Sequence, residues 1–190
     1  MKRVKWLHYL DLILQHGKLE DHDPNYDILE TFRTCIPSRV YPKILEIGAG
    51  AGVDMNVLIK YGYEVEGIDM LLANIDYAKE HFGLKIFKMD MHDMTFPSES
   101  FDGILSIQTF EHALSPFIAA SEMCRVLRYG GRVFLDTPDA DDEGMHQKWH
   151  PSVLYPKQLI HLFKSAGFCL IENLTRKHRT QIVFEKELRI

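Results

Sequence analysis

Residues 44–52 read Ile44-Leu45-Glu46-Ile47-Gly48-Ala49-Gly50-Ala51-Gly52, an apolar β-type run that passes directly into a glycine-rich turn. Glycine reaches backbone angles that residues with a Cβ avoid, and a main chain stripped of Cβ atoms lets a flat or bulky ligand touch it. A strand that runs into such a turn and then into a helix opens a doubly wound α/β fold. In a dinucleotide site a third glycine follows three positions after Gly50, where this chain has Val53, so a nicotinamide-dependent oxidoreductase is disfavoured.

Toward the C-terminus, β-rich runs over 43–47, 64–69, 85–90, 102–107 and 132–137 alternate with amphipathic stretches. That alternation predicts a parallel sheet with right-handed crossovers and helices on both faces. A helix over 156–166 closed by Gly167, then strands over 168–174 and 181–188 around a polar turn, predict a final antiparallel hairpin. The connection 138–156 is polar, rich in His and Asp, and longer than an idle loop should be, which makes it a candidate lid or substrate wall. Its carboxylates Asp139, Asp141, Asp142 and Glu143 read as a solvated edge.

Toward the N-terminus, Trp6, Leu7, Leu10, Ile13 and Leu14 repeat at helical spacing before Gly17, and a second helix is expected over 26–35, between Pro24 and Pro37. Met1 to Trp6 begins like the basic part of an export signal, but Asp11, Gln15 and His16 interrupt the next stretch before an apolar run develops, so neither export nor a membrane span is expected. At 190 residues the chain is expected to form one domain, with 1–40 as a helical cover over a core of 41–190.

The composition, 46% apolar and 26% charged, excludes disorder and coiled-coil repeats. Twenty-two Lys and Arg against 27 Asp and Glu leave a net charge of −5 with no long basic run, so nucleic-acid binding has no electrostatic support and a small or neutral partner is expected. Cys35, Cys124 and Cys169 are too scattered for a disulfide framework or a zinc site, which points to a reducing cytoplasm.

Asp69 ends the second strand with a carboxylate able to grip both hydroxyls of a ribose, or to cap the next helix. Asp90 ends the third and can accept from an exocyclic adenine amine, while Met70 and Met91 are polarizable surfaces for an adenine face or ordinary core filling.

These residues, taken in order, resemble a known family. The run ILEIGAGAG, Asp69, the pair Asp90-Met91, FPSESFDGILSIQTFEH over 96–112 and RVLRYGGRVFLDTP over 125–138 are similar to the class I S-adenosylmethionine-dependent methyltransferases, across 43–187. The resemblance implies a Rossmann-like sheet of seven mostly parallel strands with an antiparallel last strand, and a cofactor across the carboxyl ends of the first strands. By position it implies that Glu46, Gly48, Ala49 and Gly50 line the methionine part, Asp69 the ribose, Asp90 and Met91 the adenine with Met70 nearby, and that Gln108 sits beside the sulfonium.

The expected activity is transfer of a methyl group from S-adenosylmethionine to oxygen or nitrogen of a small molecule. A non-catalytic partner subunit that only binds the cofactor is the alternative. An oxygen nucleophile must lose a proton, and Glu111 and His112 stand at the crevice mouth as candidate bases, or as groups that only hold the loop. His146 and His150 overhang the same pocket or are solvated, and Glu111, His112 and His150 are the expected catalytic set. A metal-dependent subgroup of the family carries a Glu-x-x-Glu-His motif and a later His. Gln108 replaces the first Glu here, so no metal is expected.

Overall fold

Residues 23–176 and 178–187 are described by the computed structural model. The first expected helix, over 6–14, lies outside them. The second is α1, Tyr26–Cys35, which buries the stripe Ile28, Leu29 and Phe32 and carries Asp27 in its first turn and Arg33 in its last, complementing the helix dipole.

Strands and helices then alternate as expected: β1 Lys43–Ile47, α2 Val53–Lys60, β2 Glu64–Asp69, α3 Leu72–Phe82, β3 Ile86–Lys88, β4 Phe101–Ile107, α4 Pro116–Val126 and β5 Leu127–Pro138. Helix α5, Pro156–Ser165, and the hairpin of β6, Phe168–Asn173, with β7, Arg179–Lys186, follow among the described residues. The seven strands lie in the order β3-β2-β1-β4-β5-β7-β6. All pairs from β3 through β5 are parallel, and β7 runs antiparallel to both β5 and β6.

The inner strands β1, β4, β5 and β7 bury both faces over most of their length, which is why their runs read as largely apolar. On one face Ile104, Val133, Leu135 and Phe184 pack under α4 and α5, through Ala120, Met123, Leu159 and Phe163. On the other, Ile44, Leu105, Phe134 and Val183 pack under α1 and α2, through Leu29, Phe32, Val57 and Leu58. Among the described residues no helix is long and apolar enough to cross a membrane.

Several boundaries differ from expectation, most by one or two residues. β3 stops at Lys88, because the chain turns at Asp90, whose carbonyl accepts from Asp93 N–H at 3.1 Å. β5 begins at Leu127, already paired with Phe101, and its register shifts across Gly130, which holds φ +70, before regular pairing resumes at Gly103 and Arg132. β7 begins at Arg179, because Arg176 and Arg179 close the hairpin tip.

The 138–156 connection contains a 3-10 turn, Glu143–Met145, capped by the Asp142 side chain. Ser152 fastens it to the loop after β4, its N–H donating to Glu111 O at 3.0 Å and its Oγ to Ala113 O at 2.6 Å.

Phe163 is fully buried, stacks on Phe184 at 4.2 Å and touches Phe110 and Phe168. Phe163→Ala is expected to lower unfolding free energy by about 3–5 kcal/mol, read as a shifted denaturant midpoint at unchanged slope.

Candidate active site

The site is built at the carboxyl ends of the parallel strands. Gly48, Gly50 and Gly52 all hold positive φ, at +75, +52 and +77°, and they serve different ends. A Cβ on Gly48 would overlap the Thr109 side chain, and one on Gly52 would lie 2.6 Å from Leu84 Cδ1, so both glycines serve close packing. A Cβ on Gly50 would meet nothing within 4 Å, so the bare main chain there faces open space. The N–H groups of Gly48 and Ala49 both donate to Ile68 O, which ties the turn to β2.

Asp69 completes that junction. Its Oδ2 accepts the Gly50 N–H at 2.8 Å and its Oδ1 the Leu71 N–H at 2.7 Å. Burial raises its pKa, and these N–H groups oppose the rise. The Asn74 amide also donates to Oδ1, at 3.5 Å, so Oδ2 is the oxygen with room for a second donor such as a ribose hydroxyl.

Glu46, 3% exposed, sits one residue before the end of β1, and its Oε2 has no partner among the described residues. Burial, with Asp54 and Asp69 adding to it, holds its pKa well above the ordinary value. A buried acceptor of that kind calls for a donor, and the amino group of the cofactor's methionine part would supply one. Bare turn, ribose carboxylate and orphaned acceptor together fit S-adenosylmethionine.

At the position where the resemblance implies the adenine, Asp90 Oδ1 accepts from both the N–H of His92, at 2.9 Å, and its Nδ1, at 2.6 Å. Burial acts to raise the Asp90 pKa, but the His92 bonds outweigh it and the net shift is downward. His92 Nε2 accepts the N–H of Ser115, joining this corner to the start of α4. Met91 is half-buried and packs against the core under α4 and α5, and Met70 is half-buried beside Asp69.

At the end of β4, Gln108 holds φ +46 and is pinned twice to one residue of β5: its N–H donates to Asp136 O at 2.9 Å, its Nε2 to Asp136 Oδ1 at 2.7 Å. The other oxygen of Asp136 accepts from Gln181 Nε2 at 2.8 Å. Burial raises the Asp136 pKa, against these amides.

Glu111, 1% exposed, has an unpartnered Oε2, and burial, with the Asp136 charge adding, pushes its pKa up to about 8. Burial moves His112 the opposite way, lowering its pKa, with His150 adding a smaller push in the same direction. The rings of His112 and His150 lie 4.8 Å apart. His112 Nδ1 contacts Trp149 O at 2.6 Å and His150 Nδ1 contacts Met145 O at 2.8 Å. A carbonyl accepts only, so both rings carry the proton on Nδ1 and the lone pair on Nε2 when neutral. Glu111, His112 and His150 each bring a ligand atom within 4.8 Å of the others, close enough to hold a metal ion or to exchange a proton through one bridging water.

His146 departs from the expected convergence. Its Nε2 contacts Ala140 O at 2.8 Å, because the 3-10 turn folds it back on its own loop, and it is not in the cluster. Sequence reasoning missed His92 and Asp136. The signal for Asp136 was partial: it lies two residues before the end of β5, a carboxylate near a strand's carboxyl end, whereas Asp69 is the last residue of β2.

A cleft of about 600 Å³ opens at the opposite ends of the strands, lined by Arg125, Tyr129 and Lys186 among others. Its cations are already engaged, Arg125 by Glu122 and two carbonyls and Lys186 by Leu127 O.

Two outcomes test this geometry. Asp69→Asn is expected to weaken S-adenosylhomocysteine binding by about tenfold to a hundredfold in calorimetry, the value of a charge-assisted grip. Glu111 keeps its proton in the folded state up to about pH 8, whereas its ordinary value is 4.5. The folded chain therefore binds the extra proton across that window, and stability falls as pH rises through it, by about 1.4 kcal/mol per unit. Glu111→Gln removes this slope and is expected to exceed the unmodified chain in urea resistance above pH 8, with no gain at pH 4.

Residues 45–135 match the family model described as a methyltransferase domain. The chain is 30% identical over 151 residues to a phosphatidylethanolamine N-methyltransferase of Cereibacter sphaeroides, covering 74% of this chain and 71% of that protein. It is 28% identical over 99 residues to a ubiquinone biosynthesis O-methyltransferase of Coxiella burnetii, covering 50% of this chain and 42% of that relative's length. A SAM-dependent methyltransferase structure from Aquifex aeolicus shares the fold, with a TM-score of 0.64 at 18% identity over 83% of this chain and 97% of that one. The glycine turn, the strand-end carboxylates and these likenesses agree: the chain belongs to the class I S-adenosylmethionine-dependent methyltransferases, with S-adenosylmethionine as its cofactor.

Proposed function

We propose that this enzyme moves the cofactor's methyl group to an oxygen or nitrogen of a small-molecule acceptor held between Gln108 and the group Glu111, His112 and His150. The observation that carries the reading is that these three ionizable side chains converge beside the end of β4. Bound S-adenosylmethionine supplies an activated methyl, which leaves the chain to align the nucleophile, at about 3 to 3.5 Å, and to handle its proton.

The residues divide that work. His112 and His150, with lone pairs on Nε2, take the acceptor proton. Glu111 stays protonated at neutral pH and adds no second negative charge beside Asp136. Gln108, immobilised by Asp136, forms the floor next to the methyl. The names of the two relatives include one N- and one O-methyltransferase, in keeping with either acceptor atom. Relatives named as methyltransferases also favour an enzyme over a partner subunit that only binds the cofactor.

The N-terminal part, 1–40, covers the cofactor in this reading, as one domain with the core. In its support, Asn25 clasps Asp54 at the start of α2 with its N–H and its side-chain amide, at 2.9 and 2.8 Å, which ties the residue before α1 to the helix that follows the glycine turn. Cys35, Cys124 and Cys169, none of them in a disulfide, suit a cytoplasmic setting.

The test uses methyl-labelled S-adenosylmethionine and a panel of amines and phenols. His112→Asn and His150→Asn are expected to lower kcat by about 10²–10⁴-fold while leaving S-adenosylhomocysteine affinity unchanged. Dialysis against EDTA should leave the rate intact. A loss that divalent cations restore would reassign the three residues from proton transfer to metal binding, and cofactor binding without transfer to any acceptor would favour the partner-subunit alternative.

A further inference from the structure

Four consecutive residues, Arg176-Lys177-His178-Arg179, have no role in the site described above. Arg176, His178 and Arg179 belong to the tip between β6 and β7. Since β7 is antiparallel to both β5 and β6, this tip stands at the carboxyl ends of the parallel strands, the end that carries Gln108 and Glu111.

The tip brings two arginines face to face. Arg176 N–H donates to Arg179 O at 2.9 Å and Arg179 N–H to Arg176 O at 3.1 Å. Residues that exchange both bonds across an antiparallel bridge have Cα atoms about 5.5 Å apart and side chains on one face. Like charges so placed repel. His178 adds a second local cost by holding φ +69, a conformation that favours glycine or asparagine.

That shared face looks toward the site. Arg179 pairs with Pro138 and Gln181 with Asp136, which puts the four side chains on one side of the sheet, and Arg179 Nε lies 3.6 Å from Asp136 Oδ1. Asp136 is fully buried and already accepts from Gln108 and Gln181, so one shared carboxylate stands against two guanidinium groups. Arg176 is exposed, and among the described residues neither it nor Arg179 pairs with Asp139, Asp141, Asp142 or Glu143 in the adjoining connection.

We propose that Arg176 and Arg179 together hold a phosphoryl group of the methyl acceptor, while its reacting end reaches Gln108 and Glu111. This rests on the methyl-transfer reading above. Two planar forks match the several oxygens of a phosphoryl group, whereas a carboxylate fills one. An anion between the arginines turns their repulsion into attraction. A soluble phosphate ester and a phospholipid headgroup present the same chemistry to this pair.

The experiment uses the full chain saturated with S-adenosylhomocysteine. In one arm calorimetry follows binding of O-phosphoethanolamine, which joins a phosphoryl group to an acceptor nitrogen, against ethanolamine, which lacks the phosphoryl. In the other, the chain is sedimented with vesicles of phosphatidylcholine and phosphatidylethanolamine.

Binding of a phosphoryl probe that falls by about tenfold or more in the Arg176→Gln, Arg179→Gln double variant, with S-adenosylhomocysteine affinity unchanged, is the expected result. Binding in the soluble arm assigns the group to a free ester, and binding to vesicles alone assigns it to a lipid. The proposal is overturned if neither probe binds, if the variant binds as well as the unmodified chain, or if ethanolamine binds as tightly as O-phosphoethanolamine. Should the double variant lose the cofactor product, Arg176→Gln alone, at an exposed position, decides by the same criteria. An unmodified chain that fails to bind S-adenosylhomocysteine would refute the methyl-transfer reading instead.

Discussion

One hydrogen bond, from the backbone of Gly50 to the carboxylate of Asp69, organises the cofactor end of this molecule. It joins the turn after β1 to the tip of β2, so the bare main chain and the Asp69 carboxylate are held against each other. The parallel pairing of β1 with β2 brings the two strand ends level, and the Ile68 carbonyl adds two further ties to the same turn. Without Asp69 the turn would keep its glycines but lose the support that aims them.

The same end of the sheet gathers carboxyl groups that water would ordinarily solvate. Glu46, Glu111 and Asp136 are buried, Asp69 is half-buried, and burial raises the pKa of each. Fixed amides offset part of that cost: Gly50 and Leu71 for Asp69, Gln108 and Gln181 for Asp136. Glu46 and Glu111 each keep an oxygen without a partner, so a cation or a donor arriving there meets an acceptor whose desolvation folding has already carried out. A sulfonium cofactor with a free ammonium group has the charge such a place favours.

Legibility in the sequence followed the range of the interactions. β1, β2 and α1 could be bounded to the residue, because their limits are written locally, in glycine, proline and the alternation of apolar positions. The early start of β5 could not, since Leu127 pairs with Phe101 across a glycine-bearing irregularity that no local pattern records. Asp69, Asp90 and Glu111 could be picked out as candidates from strand ends alone. Asp136 could not be ranked beside them, because what distinguishes it is Gln181, a partner 45 residues away. His146 and His150 look equivalent along the chain and separate only when a 3-10 turn sends one back to Ala140 and the other to His112.

The strand order carries a consequence for biogenesis. β7 is synthesised after both β5 and β6, yet it lies inside the sheet, between them. Until its residues leave the ribosome, β5 presents a bare edge of unpaired amides and carbonyls with Val133 and Leu135 uncovered, and β6 has no neighbour to join. A nascent chain in that condition is a template for pairing with other chains, so protection by chaperones is needed most in the interval before this strand inserts.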